Sequence, residues 1–198
     1  MIMFGRVDAA LTLVPFFILY YVVLSRRTTF FQPAQIQFMV FIITLTFAQS
    51  LMSILSYAHR INIAVFYFYL PFEFALLSFL ALRLTNIKAT LSLPAAVFFG
   101  SSCYLITFYY KDSTLIPTMM LIYEGSVLII LILMAMDRLS YYSDKIILKG
   151  VLLYSITAFM FGITLQAKFY EAFITHSILN MSAKYLFTKA LIHLRGVA

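Results

Sequence analysis

Seven apolar stretches, each near the ~20 residues that cross the hydrocarbon core of a bilayer, occupy most of this 198-residue chain. They cover about 9–25, 36–58, 62–82, 91–110, 115–136, 146–165 and 169–191. Charge closes most of them: Arg26-Arg27, His59 and Arg60, Arg83, Lys111-Asp112 and Asp137-Arg138 follow the first five in turn. Backbone polar groups in hydrocarbon must be satisfied within the segment, so runs of this length read as helices. Hydrophobic residues make up 64% of the chain and charged residues 11%, whereas soluble domains are nearer half apolar and a quarter charged. The expectation is an all-α integral membrane protein. Residues 1–198 would form a single seven-transmembrane-helix bundle with short connections, no soluble domain and no low-complexity linker.

The net charge of +7 does not point to nucleic acid, because the basic residues are single and stand at the ends of apolar runs. That placement is a topology signal. Arg26, Arg27, Arg83, Lys88, Arg138, Lys145, Lys149, Lys189 and Arg195 fall on one side, nine in all, against four on the other, Arg6, Arg60, Lys111 and Lys168. The imbalance predicts an outside N-terminus, a cytoplasmic C-terminus and a multi-pass protein of the plasma membrane. A single cysteine, Cys103, excludes an intrachain disulfide and a cysteine-based metal cluster. The first apolar run lacks a small-residue cleavage site and is long enough to stay in the membrane. A short echo links Leu11-Thr12-Leu13-Val14-Pro15 to Ser113-Thr114-Leu115-Ile116-Pro117. It would suit the parallel repeats of small transporters, or simply two helices that carry a proline near their starts.

Charged groups at bilayer depth are expensive and are usually retained for function. Lys184 lies well inside the seventh run, and His176, Asn180 and Lys184 follow at intervals of four, on one helical stripe. Two of the seven acidic residues, Glu73 and Glu124, are also deep in apolar runs. At 1.5 Å per residue Glu73 stands roughly 16 Å, and Glu124 about 14 Å, below the outer ends of their helices. The Cα of Lys184 is about 22 Å down, and its side chain leans back by roughly 6 Å, to the same level. An amine and two carboxylates at one depth suit a buried ion pair tying three helices together, or a proton-transfer site whose affinity depends on geometry. His176 reads as a hydrogen-bonded packing residue or a proton relay. No second histidine stands at zinc-ligand spacing, and the sequon Asn180-Met181-Ser182 falls inside a spanning helix. No nucleophile, base and orienting group form a catalytic set, so the chain does not read as an enzyme.

The run Leu179-Asn180-Met181-Ser182-Ala183-Lys184, followed by Leu194-Arg195, resembles the seventh helix of the microbial rhodopsins, as a divergent member would. That resemblance implies a retinal cofactor, held as a Schiff base on Lys184, and the homo-oligomers common in the family. Pro71 matches the family's third-helix proline, which puts Val65 at the proton-acceptor position, Phe66 at a tryptophan position and Asn62 at an arginine position. Tyr154 and Phe161 match two pocket tryptophans, and Asn180 matches the helix-seven aspartate; the chain contains no tryptophan. With both usual carboxylates replaced, the resemblance makes Glu73 the candidate counterion and Glu124 a second one or a proton-exchange partner. Phe66, Tyr154 and Phe161 would flank the polyene, or serve as ordinary core packing.

Three functions follow from these observations. One is a retinal-binding, light-responsive membrane protein, either translocating protons or ions in a non-standard way or acting as a photosensor. Another is a small proton-coupled transporter without retinal. The third is a membrane-embedded structural or partner protein, such as a retinal-free sensor that couples to a separate kinase.

Overall fold

A computed structural model describes residues 2–25, 33–57, 63–85, 87–109, 118–136, 139, 142–167 and 172–194. All the regular structure among them is helical: α1 (Ile2–Ser25), α2 (Pro33–Tyr57), α3 (Ile63–Leu84), α4 (Ala89–Tyr109), α5 (Thr118–Met136), α6 (Tyr142–Gln166) and α7 (Ala172–Leu194). Each overlaps one of the apolar runs, and most ends agree to within about three residues. The exceptions extend an apolar run through polar residues: α1 begins at Ile2 rather than near residue 9, and α6 at Tyr142 rather than 146. A helical backbone satisfies itself whatever its side chains are, so Arg6 and Asp8 do not interrupt α1. Arg26, Arg27, Arg60, Asn62, Lys111, Arg138, Lys168, Arg195 and the echo segment 113–117 lie outside the described residues.

Four helical segments, Pro33–Leu55, Val65–Leu84, Thr118–Met136 and Asp144–Gln166, are long and apolar enough to cross a membrane. Shorter apolar segments, Ala10–Ser25 and Thr90–Ile106, occupy α1 and α4. The outer surface is apolar as well: Phe17, Phe47, Phe68, Phe98 and Leu105 are all more than 60% exposed. Contiguous apolar surface on this scale would aggregate in water and is at home against lipid. The chain is a membrane protein.

The helices close into a ring in chain order, each packed on the next and α7 returning to α1. α3 also packs on α5 and touches α6, which puts it nearest the axis. Contacts between neighbours show that they run antiparallel. Gly125, near the start of α5, meets Phe159 near the end of α6, and Gly162 meets Thr118 and Ile122. Phe187, near the end of α7, covers Gly150 near the start of α6. One end of the bundle therefore gathers the starts of α1, α3, α5 and α7. It is called the N-terminal end below, and its opposite the C-terminal end.

Glycine sets the closest of these contacts. A Cβ on Gly125 would stand 2.6 Å from Cβ and 2.9 Å from Cα of Phe159, where only a backbone shift makes room. Alanine raises helix propensity by about 1 kcal/mol over glycine, but overpacking a tight contact costs about 1–3 kcal/mol. Because the obstacle is backbone, overpacking wins. A Gly125→Ala protein should melt several degrees below the wild type in detergent; an unchanged or higher melting temperature would mean that α5 and α6 are not so closely apposed.

Candidate functional site

Buried polar side chains concentrate in one slab of the bundle. From the N-terminal end, at 1.5 Å per residue, Glu124 stands about 9 Å in, Gln49 and Asn180 about 12 Å, Thr12 and Glu73 about 15 Å, and Lys184 and Tyr154 about 18 Å. Glu73 and Glu124 are each 1% exposed and Lys184 is 2% exposed. All three charged side chains expected at membrane depth are thus buried in the bundle, over a range of about 9 Å along its axis.

Glu73 is met by tyrosines. Tyr69, one turn earlier on α3, donates its hydroxyl to Glu73 Oε1 at 2.7 Å. The hydroxyl of Tyr154, from α6, hydrogen-bonds the same carboxyl group. Glu124 of α5 and Cys103 of α4 lie within electrostatic reach of Glu73. Glu124 Oε2 is buried with no hydrogen-bond partner among the described residues. Alongside, the ring of Phe74 packs on Phe99 and Tyr123, both centroids 5.6 Å away, and Tyr123 shares a 3.0 Å hydrogen bond with Ser102. Two buried acid side chains from α3 and α5 thus stand within electrostatic reach of each other, with a tyrosine hydroxyl donating to Glu73. Such a pair readily holds a shared proton, since two like charges side by side in low dielectric are strongly disfavoured.

Lys184 makes its described contact with α2. Its Nζ lies 3.4 Å from Gln49 Oε1 on α2, and the Thr12 hydroxyl of α1 donates to the same oxygen. One amide oxygen therefore ties together three helices. α7 packs between α1 and α6, and α3 packs on α2, α4, α5 and the edge of α6. Asn180 is buried one turn before Lys184, and His176, two turns before it, is partly buried. The His176 ring stacks on Phe161 with centroids 4.2 Å apart and planes tilted by 33°.

The aromatic candidates divide. Tyr154 lies against Phe41 and Phe187, with centroids 5.8 and 6.1 Å away. Phe161 and Tyr154 both face α7, Tyr154 at the level of Lys184 and Phe161 nearer the N-terminal end. Phe66 is partly buried against the core. Val65 lines an apolar groove of about 360 Å³ between α2 and α3, with Phe47, Phe68 and Tyr69 among its walls. No group of three or more histidine, cysteine or acidic side chains is placed to hold a metal ion among the described residues.

Gln49, Thr12 and Tyr69 belong to the site but did not stand out from the sequence. Tyr69 carried a usable signal, its four-residue spacing to a buried glutamate. Gln49 carried a weaker one, a neutral amide inside an apolar run.

A Tyr69→Phe substitution keeps the ring and removes one donor to a buried carboxyl oxygen. It should cost about 1–3 kcal/mol, read as a lower melting temperature in detergent; wild-type stability would mean that the bond contributes nothing. No protein-family model, characterised protein or solved structure gave a significant match to this chain, so its function is argued from the site alone.

Proposed function

We propose that this protein is a small proton-coupled membrane transporter, with the Glu73–Glu124 pair as its proton-carrying group. The observation that carries the proposal is the pair itself: two acid side chains, each 1% exposed, brought together from α3 and α5, with tyrosine hydroxyls bound to one of them. A full charge on both would be very costly in such surroundings, and taking up or releasing one proton changes that cost sharply. In this reading all seven helices span the plasma membrane and the nine-to-four charge imbalance puts the N-terminus outside. The polar slab then lies nearer the outer face. His176, about 6 Å from that end, stands between the exterior and the deeper groups and serves as a relay. Lys184, Gln49 and Thr12 offer a second polar station, where an amine can meet a polar or acidic solute.

Infrared difference spectra between acidic and alkaline media test this without knowledge of the solute. The wild type should show a carboxylic C=O stretching change that is diminished in both Glu73→Gln and Glu124→Gln. Spectra identical to wild type in both variants would mean that the pair takes up no proton, and the proposal would fall.

One observation favours a second reading, the retinal protein of the microbial rhodopsin type. Lys184 is enclosed at mid-depth of α7, with Tyr154 of α6 at its level and Phe161 of α6 facing α7 nearer the N-terminal end. A primary amine there is of the right type to hold an aldehyde covalently, and retinal would supply light absorption and isomerisation. Lys184 would hold it, Asn180 would stand one turn away, and Tyr154, Phe161 and Phe66 would supply the aromatic walls. On that reading Glu73 and Glu124 remain the proton-exchanging groups. Protein purified with all-trans retinal should then show a visible absorption band that Lys184→Ala abolishes. Absence of the band, or its survival in the variant, rejects this reading and leaves the transporter untouched.

A further inference from the structure

Beyond the polar slab, toward the C-terminal end, the interior changes character. Phe38 and Phe41 of α2 and Phe187 of α7 are 0–1% exposed and in mutual edge contact, with Phe187 centroids 5.7 Å from Phe38 and 5.5 Å from Phe41. Leu77, Leu148 and Val151 fill the same level, all at 0% exposure. The nearby hydroxyls of Thr46 and Ser155 turn back onto carbonyl oxygens of their own helices, Ile42 and Val151, and offer no polar path. Gly150 belongs to this layer, because a Cβ there would stand 2.8 Å from the Phe187 ring. The aromatic layer thus interrupts the buried polar groups along the axis, with the Ser78 hydroxyl of α3 buried beside it and Gln35, Ser92 and Asp144 buried nearer the C-terminal end.

Tyr154 belongs to both the polar slab and the aromatic layer. It stands about 18 Å from either end of α6; its ring completes the aromatic layer against Phe41 and Phe187, and its hydroxyl binds Glu73. We propose that the aromatic layer of Phe38, Phe41 and Phe187 is the seal that keeps protons from crossing the bundle, and that Tyr154 is the positioning residue coupling this seal to the acid pair. Its hydrogen bond to Glu73 holds the ring in the layer; when the carboxyl group changes partner, the ring is released and the seal loosens. The titratable groups around Glu73 are Tyr69 of α3, Cys103 of α4, Glu124 of α5 and Tyr154 of α6, and of these only Tyr154 also joins the seal. This coupling gives the proposed transporter a means of opening toward one face only when the acid pair changes state, and to that extent rests on that function.

Proton leak into liposomes containing the purified protein and a trapped pH-sensitive dye provides the test. Wild-type protein should be tight, and Phe187→Ala should leak. Tyr154→Phe, which keeps the ring and loses the hydroxyl, should raise the leak by roughly two- to tenfold, the ratio that one hydrogen bond confers. Phe47→Ala, on a lipid-facing side chain, controls for general disruption and should match the wild type. If Phe187→Ala fails to give a folded protein, Phe187→Leu takes its place with a smaller leak expected. A tight Phe187 variant overturns the seal; a leaking Phe187 variant beside a tight Tyr154→Phe overturns the coupling. The leak does not require that Glu73 release a proton. A seal confirmed here beside unchanged infrared spectra in the glutamate variants would therefore reject the transporter and keep the seal.

Discussion

A carboxyl group surrounded by apolar helices has to be met by donors, and Glu73 is met by two tyrosine hydroxyls from different helices. Much of the bundle is arranged to make that meeting possible. Tyr69 comes with Glu73, one turn away on α3, but Tyr154 must arrive from α6. It reaches Glu73 because α3 sits inside the ring rather than only between its neighbours in sequence. Glu124 arrives by the same route, from α5. Moving α3 out to the circumference would strand the acid group among leucines at a cost of several kcal/mol.

The lysine is handled by a different device. The structure places a neutral amide oxygen against the amine, and that oxygen also accepts the Thr12 hydroxyl. Tyr154 is the side chain that touches both the acid pair and the aromatic layer near Phe187, three residues beyond Lys184. Polar chemistry and dry packing are adjacent here, and they communicate through one ring.

The helices were legible because a spanning helix announces itself by an apolar run of fixed length. Burial was legible too, because charged side chains deep in apolar runs have little choice but the interior, and Glu73, Glu124 and Lys184 are all buried. Direction around the helix axis was not. These helices are apolar on nearly every side, facing lipid as well as core, so no amphipathic stripe shows which face points inward. Gln49 and Thr12 were missed for that reason: an isolated amide or hydroxyl in an apolar run has no periodic companion to give its direction. The contact of the Lys184 amine with Gln49 was likewise hidden, since helix order in the ring is not written in any single apolar run. Tyr69 shows what remained recoverable, since a donor one turn from a buried acid is a local pattern.

Gly125 and Gly162 lock α5 to α6, Gly150 seats α7 on α6, and Gly100 brings α4 within reach of the Pro71 carbonyl and Ala75 of α3. Sliding any of these pairs by half a turn would drive backbone or ring atoms into one another. The glycine contacts thus knit two groups tightly, α3–α4 and α5–α6–α7, while α1 and α2 close the ring between them and α3 packs on α5 across the interior. If the protein changes shape as it works, the movement should come between these two groups, and Glu73 of α3 and Glu124 of α5 belong to opposite ones.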